Sequence, residues 1–268
     1  MKEYSFSPDG VANCKVNAWL QCELTESPSR PHPAIVICPG GAYTFVSERE
    51  GEPVAKKFFS AGFSTFILFY AVQDRAKDFE PLSQLAATVA YIRRNAKNLY
   101  IDPEKIAVCG FSAGGHLAAS LGVLYNNATF LRKFPQRENV RPNAMVLGYP
   151  VITADEYTHR ETLRNISGGA QEGSDEHLYW GIDNHVTSHT PPTFLWHTAT
   201  DTGVPAENSL KMAMALSKAK VPYELHVFPS GGHGMSVCTQ EVDTYDPYNA
   251  RWVEWSIIWL HRLFDFCE

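Results

Sequence analysis

Residues Lys105 to Tyr125 read KIAVCGFSAGGHLAASLGVLY. An apolar, β-prone run from Lys105 to Cys109 passes through Gly110, Phe111, Ser112, Ala113 and Gly114 into a run rich in Ala and Leu that ends at Tyr125. A strand that turns this sharply into a helix forces its central Ser into a strained backbone conformation, and a Gly on either side removes the Cβ atoms that would clash there. The hydroxyl then stands above the strand end at a helix N-terminus, where backbone N–H groups can receive developing negative charge. The stretch predicts a strand, a nucleophile at Ser112 and a helix over Ala113–Tyr125.

The same strand-helix rhythm extends in both directions. Short apolar runs fall at Ala34–Cys38, Phe63–Tyr70, Ala144–Tyr149, Thr193–Thr198 and Tyr223–Phe228, nearly continuous as in strands covered on both faces. Val16, Ala18, Leu20 and Cys22 alternate, the period of an opening antiparallel strand with one buried face. Leu82, Leu85, Val89, Ile92, Ala96 and Leu99 recur at helical spacing, and Ser47–Ala61, Ala206–Ala219 and Asn249–Phe266 carry similar patterns. In the last of these, Trp252, Trp255 and Trp259 read as a core stripe. The expected fold class is α/β, a mostly parallel twisted sheet with helices on both faces, in one domain spanning 1–268. Val151–Pro192 breaks the rhythm with little periodicity and four His, which predicts a small cap insertion containing short helices.

An acid and a base follow the late strands in the chain order Ser, Asp, His: Asp201 after Thr193–Thr198, and His233 within Ser230-Gly-Gly-His-Gly234 after Tyr223–Phe228. Both fall where parallel strands end, the edge at which open α/β sheets place their sites. Pro39-Gly-Gly-Ala-Tyr43 follows an earlier strand and lacks the spacing of a dinucleotide or phosphate loop. Its amides at Gly41 and Ala42, with that of Ala113, are the expected oxyanion donors, and Tyr43 is the expected wall of a small acyl pocket. His116 reads as a structural residue. His185 and His189 share a helical spacing, but no third ligand is evident, so no metal is expected.

Composition narrows the classes further. The 268 residues carry a net charge of −6, which disfavours a nucleic-acid or anionic-membrane partner. The N-terminal MKEYSFSPDG lacks the apolar core of a secretory signal, and the most apolar run, Phe63–Val72, is about half the length of a membrane span. The six Cys form no Cys-x-x-Cys pair. Cytoplasmic localisation is expected, and the sequons at Asn127 and Asn165 are then idle.

The blocks ICPGGAY, SEREGEPVA, GFSAGGHLAA, PPTFLWHTATDTGVPAENSL and PYELHVFPSGGHG resemble, in order, the α/β-hydrolase esterases of the acetyl-esterase and acetyl-xylan-esterase type. The resemblance implies a serine esterase that needs no cofactor, with Ser112 as nucleophile, Asp201 as acid and His233 as base, acting on small acetyl esters of sugars or xylo-oligosaccharides. Pro39 and Ala42 replace the first and last residues of the family's usual His-Gly-Gly-Gly loop, and Asp201-Thr202 replaces its usual Asp-Asp pair. Another serine hydrolase of this fold, a formamidase or oligopeptidase, is the alternative, and a non-catalytic binding protein is a more distant one. The oligomeric state, homo-oligomer included, stays open.

Overall fold

In the computed structural model, which describes residues 2–23, 26, 30–134 and 139–266, the chain opens with strands β1 (Lys2–Phe6) and β2 (Lys15–Leu20). It continues through β3 (His32–Cys38), α1 (Glu52–Ser60), β4 (Ser64–Phe69), α2 (Glu80–Arg94) and α3 (Ala96–Leu99). Then come β5 (Ile101–Phe111), α4 (Ala113–Leu124), α5 (Ala128–Lys133) and β6 (Ala144–Gly148). The segment 151–192 holds α6 (Arg160–Ile166), α7 (Asp175–Leu178) and a 3-10 turn at Ile182–His185, and β7 (Thr193–Thr198), α8 (Glu207–Lys218), β8 (Tyr223–Phe228) and α9 (Arg251–Phe264) close the chain.

The strands form one sheet in the order β1-β2-β4-β3-β5-β6-β7-β8. The pairs β1/β2 and β2/β4 are antiparallel, and from β4 to β8 every pair is parallel. Successive residues of the central strands enter opposite layers. Ile35 and Ile37, Cys109, Val146 and Trp196 pack with Val54 and Phe58 of α1 and Trp252 and Leu260 of α9. Val36, Val108, Met145 and Leu195 pack with Leu82 and Leu85 of α2, Leu117 and Leu121 of α4 and Leu216 of α8. Period-2 strands that bury both faces need helices on both sides, and each such Val, Ile or Leu contributes about 1.5–3 kcal/mol. The fold is that of an α/β hydrolase.

The structure differs from the sequence reading in places. β1, charged and only partly buried, carries no apolar alternation and owes its existence to pairing with β2. The helical run Leu82–Leu99 is two helices interrupted at Asn95. β8 is half exposed because it is an edge strand. Cys267 lies outside the described residues; of the other cysteines, all free, Cys14, Cys38, Cys109 and Cys238 are buried and Cys22 is exposed. Among the described residues no helix is long and apolar enough to cross a membrane.

Candidate active site

Ser112 joins β5 to α4 at φ 52° and ψ −120°, a conformation that costs a non-glycine residue about 1–3 kcal/mol. Three backbone hydrogen bonds hold it there: its N–H donates to Gly148 O at 3.1 Å, and its carbonyl accepts from His116 at 3.0 Å and Val151 at 3.1 Å. Gly114 is required by close approach, since a Cβ there would stand 2.0 Å from Cys38 O and 2.3 Å from Pro39 O. The turn therefore seats Ser112, 8% exposed, directly beside the loop that follows β3.

The three residues expected from chain order meet. His233 Nε2 lies 2.8 Å from Ser112 Oγ, and His233 Nδ1 lies 2.7 Å from Asp201 Oδ2. A carboxylate only accepts, so Nδ1 carries the proton and Nε2 accepts from the Ser112 hydroxyl. Asp201 Oδ1 accepts from the N–H groups of Gly203 and Val204 at 2.8 and 2.9 Å. Burial would push this carboxyl up, but the neighbouring His197 N–H and the hydrogen bonds from His233 and the Val204 amide outweigh it and hold the group well below the usual carboxylate range. His197, missed by the sequence reading inside an apolar strand, is fully buried; its Nε2–H donates to Val204 O at 2.8 Å and stands 3.5 Å from Asp201 Oδ2.

Residues Gly41, Ala42 and Tyr43 all have positive φ, at 122°, 53° and 58°. The loop is pinned through its carbonyls: Tyr70 O–H donates to Pro39 O at 2.5 Å, Thr44 N–H to Gly41 O at 2.8 Å, and Asn165 Nδ2 to Ala42 O at 2.8 Å. The Gly40 N–H is taken by Glu50 Oε2 at 2.7 Å. Among the described residues the N–H groups of Gly41 and Ala42 meet no protein acceptor, and Ala113 as the first residue of α4 has no intrahelical one.

Tyr43 does not form the expected pocket wall. Its ring is fully buried, T-shaped against Tyr70, and its hydroxyl donates to His116 Nδ1 at 2.9 Å. The left-handed turn sends the side chain beneath the loop, where His116 supplies an acceptor, and Phe45, 59% exposed, is the aromatic residue left at the surface. His116 Nε2–H donates to Trp180 O at 3.0 Å, and burial pushes its imidazole down to about 4.

Asn165 and His159 of segment 151–192 also reach this region. Asn165 of α6 binds the loop as above, and His159, which caps α6, accepts at Nδ1 from the Thr162 N–H at 3.3 Å. Burial, then the proximity of His233, lowers the His159 pKa. A cavity of about 410 Å³ lined by Thr44, Asp74, Lys77, Glu161, Arg164 and Asn165 opens between α6 and the loop. No signal short of the fold marks these residues, because α6 has seven residues and α7 four, too short for a periodic pattern. His185 donates to Tyr179 O at 2.7 Å, and among the described residues no three His, Cys, Asp or Glu side chains converge to hold a metal ion.

The sequence matches the BD-FAE family over residues 20–216. It is 35% identical over 212 residues to an endo-1,4-beta-xylanase B of Butyrivibrio fibrisolvens, covering 77% of this chain and 33% of that protein. To an acetylxylan esterase of Xylanibacter ruminicola it is 31% identical over 242 residues, covering 88% of this chain and 46% of that protein. The chain thus spans between a third and a half of these curated relatives. The crystal structure of an acetyl ester-xyloside bifunctional hydrolase from Caldicellulosiruptor lactoaceticus superimposes with a TM-score of 0.82 at 35% identity, covering 95% of this chain and 89% of that one.

Proposed function

The chain belongs to the BD-FAE family, and on that premise we propose that it is a serine esterase cleaving short-chain, above all acetyl, esters of sugars or xylo-oligosaccharides. The observation that carries this reading is the unbroken path of hydrogen bonds from Ser112 Oγ through His233 to Asp201. His233 Nε2 takes the Ser112 proton as Oγ attacks the ester carbonyl, while Asp201 fixes the tautomer and stabilises the imidazolium. The N–H groups of Ala113, Gly41 and Ala42 receive the oxyanion, each such donor being worth about a hundredfold to a thousandfold in rate. The tetrahedral adduct collapses to an acyl-enzyme as His233 protonates the departing alcohol. Water, deprotonated by His233, then attacks the acyl-enzyme, and collapse of this second adduct breaks the bond to Ser112 Oγ, which regains its proton from His233 as the acid leaves.

Two further features favour a sugar. The cavity beside the loop is lined by charged and amide groups, which suit hydroxyls rather than an acyl chain. The names of the relatives point to acetylated xylan and xylosides. The five cysteines among the described residues are all free, which suits a reducing compartment, the cytoplasm. The test is hydrolysis by purified wild type and Ser112→Ala of acetylated xylo-oligosaccharides, an N-formyl amide and a peptide. Acetate release by the wild type alone supports the reading; turnover confined to the amide or peptide replaces it with a formamidase or peptidase, and equal ester turnover by Ser112→Ala overturns it.

A further inference from the structure

Glu50 is a buried carboxylate, 3% exposed, for which the mechanism has no use. Among the described residues no Lys or Arg pairs with it, and a carboxylate removed from water without a cation is costly unless hydrogen bonds replace its hydration. Each of its oxygens accepts one at 2.7 Å: Oε2 from the Gly40 N–H, Oε1 from the Tyr149 O–H. Tyr149 is fully buried just past β6, its oxygen accepts from the Ser236 N–H at 2.8 Å, and its ring is T-shaped against His233 at 5.1 Å between centroids. The Ser236 amide can only donate, so the phenolic proton is left for Glu50 and the donor order is fixed. Ser236 also donates from Oγ to Arg49 O at 2.6 Å, which ties the His233 loop back to the segment bearing Glu50.

Three stretches that share no secondary structure meet on these two side chains: the loop after β3, the turn after β6 and the loop carrying His233. We propose that Glu50 and Tyr149 are positioning residues for ester hydrolysis, holding the Gly40 N–H out of the oxyanion site so that Gly41 and Ala42 present theirs beside Ser112, while fixing His233 through Ser236. The proposal rests on the esterase reading above. Because an oxyanion exists only after attack, the pair acts on the transition state and not on substrate binding.

The test uses Glu50→Ala, Glu50→Gln, Tyr149→Phe and the double variant Glu50→Ala/Tyr149→Phe with p-nitrophenyl acetate, kcat being normalised to serine titrated by a fluorophosphonate so that misfolded protein is not counted. Each of Glu50→Ala and Tyr149→Phe should lower kcat by at least about tenfold with KM within about threefold. Inhibition by a trifluoromethyl ketone, whose adduct places an oxyanion in the same site, should weaken in parallel. Glu50→Gln keeps an oxygen for the Gly40 amide and should recover at least about threefold over Glu50→Ala, and the double variant should be no worse than the poorer single one, as expected of groups acting as a unit. Normalised kcat at the wild-type level, losses carried by KM, absence of rescue or multiplied losses in the double variant would each overturn the proposal while the wild type remains an esterase. A wild type that hydrolyses no ester overturns the esterase reading and the proposal with it.

Discussion

The side-chain amide of Asn165 donates to the carbonyl oxygen of Ala42 across 2.8 Å, so the first helix of segment 151–192 is bonded to the loop offered as the oxyanion site. The same nitrogen reaches Thr44 Oγ1 at 3.1 Å, and Thr44 in turn donates to Glu161 at 3.1 Å. Asn165→Ala should lower kcat/KM for p-nitrophenyl acetate about three- to tenfold, the equivalent of roughly 0.5–1.5 kcal/mol for one hydrogen bond. Asn165→Asp should lose more, since it sets a carboxylate against that carbonyl. Steady-state kinetics of the two variants check the order.

Ser112→Ala and His233→Ala should each lower kcat by roughly 10⁶-fold, Asp201→Asn by about 10⁴-fold, and Ser112→Ala/His233→Ala no further than either alone, because nucleophile and base work as a unit. Thermal unfolding of Ser112→Ala should match wild type, as no core volume changes.

Burial lowers the His116 imidazole from 6.5 to about 4. Between those values the unfolded chain binds a proton that the folded protein refuses, so stability from this residue is complete above pH 6.5 and falls as the pH drops towards 4. The full amplitude is about 3 kcal/mol. Asp201, whose folded pKa is depressed, contributes above its unfolded value of 3.8 and loses that contribution only below it, in a separate window. Urea midpoints measured from pH 4 to 7 should decline in wild type and Ser112→Ala alike, and the decline should flatten in His116→Gln.

Much of this site is legible from the amino acids because its residues follow strand ends. Ser112 is announced by the glycines on either side of a β-to-α transition, and Asp201 and His233 fall just past apolar runs that the structure confirms as β7 and β8. Tyr43 is not legible. Its direction depends on two successive non-glycine residues in the left-handed region, and neither Ala42 nor Tyr43 signals that conformation by type. Glu50 is hidden for a different reason: within SEREGEP it reads as one more solvated charge, and only the packing of distant loops reveals its two donors.

A Cβ on Gly203 would lie 3.0 Å from His233 Cβ and 3.1 Å from its Cγ, closer than side chains normally approach. Gly203→Ala should therefore shift the ring against Ser112 and lower kcat about ten- to a hundredfold while changing Tm little, since a displacement near 1 Å of a reacting group can cost about 10²-fold. The check is kcat beside differential scanning calorimetry, and an unchanged kcat would mean that the His233 loop yields to the methyl group.

The cavity of about 410 Å³ next to Asn165 is lined by Lys77, Arg164, Asp74 and Glu161 among others, and Lys77 and Arg164 are both exposed. Among the described residues neither cation is engaged in an ion pair, which leaves their N–H groups available to oxygen atoms of a ligand. A sugar hydroxyl can use such donors, whereas the nitrophenyl group of a chromogenic ester offers no hydroxyl in the same place. Arg164→Ala should therefore raise KM for an acetylated xylo-oligosaccharide about three- to tenfold, as expected for loss of a charged donor at a solvent-exposed site. Its kcat on that substrate should change less, because the contact is the same in ground and transition states and so affects binding uniformly. With p-nitrophenyl acetate KM should rise by a smaller factor. Equal rises for both esters would place the alcohol elsewhere, and the cavity would then have no part in choosing the sugar.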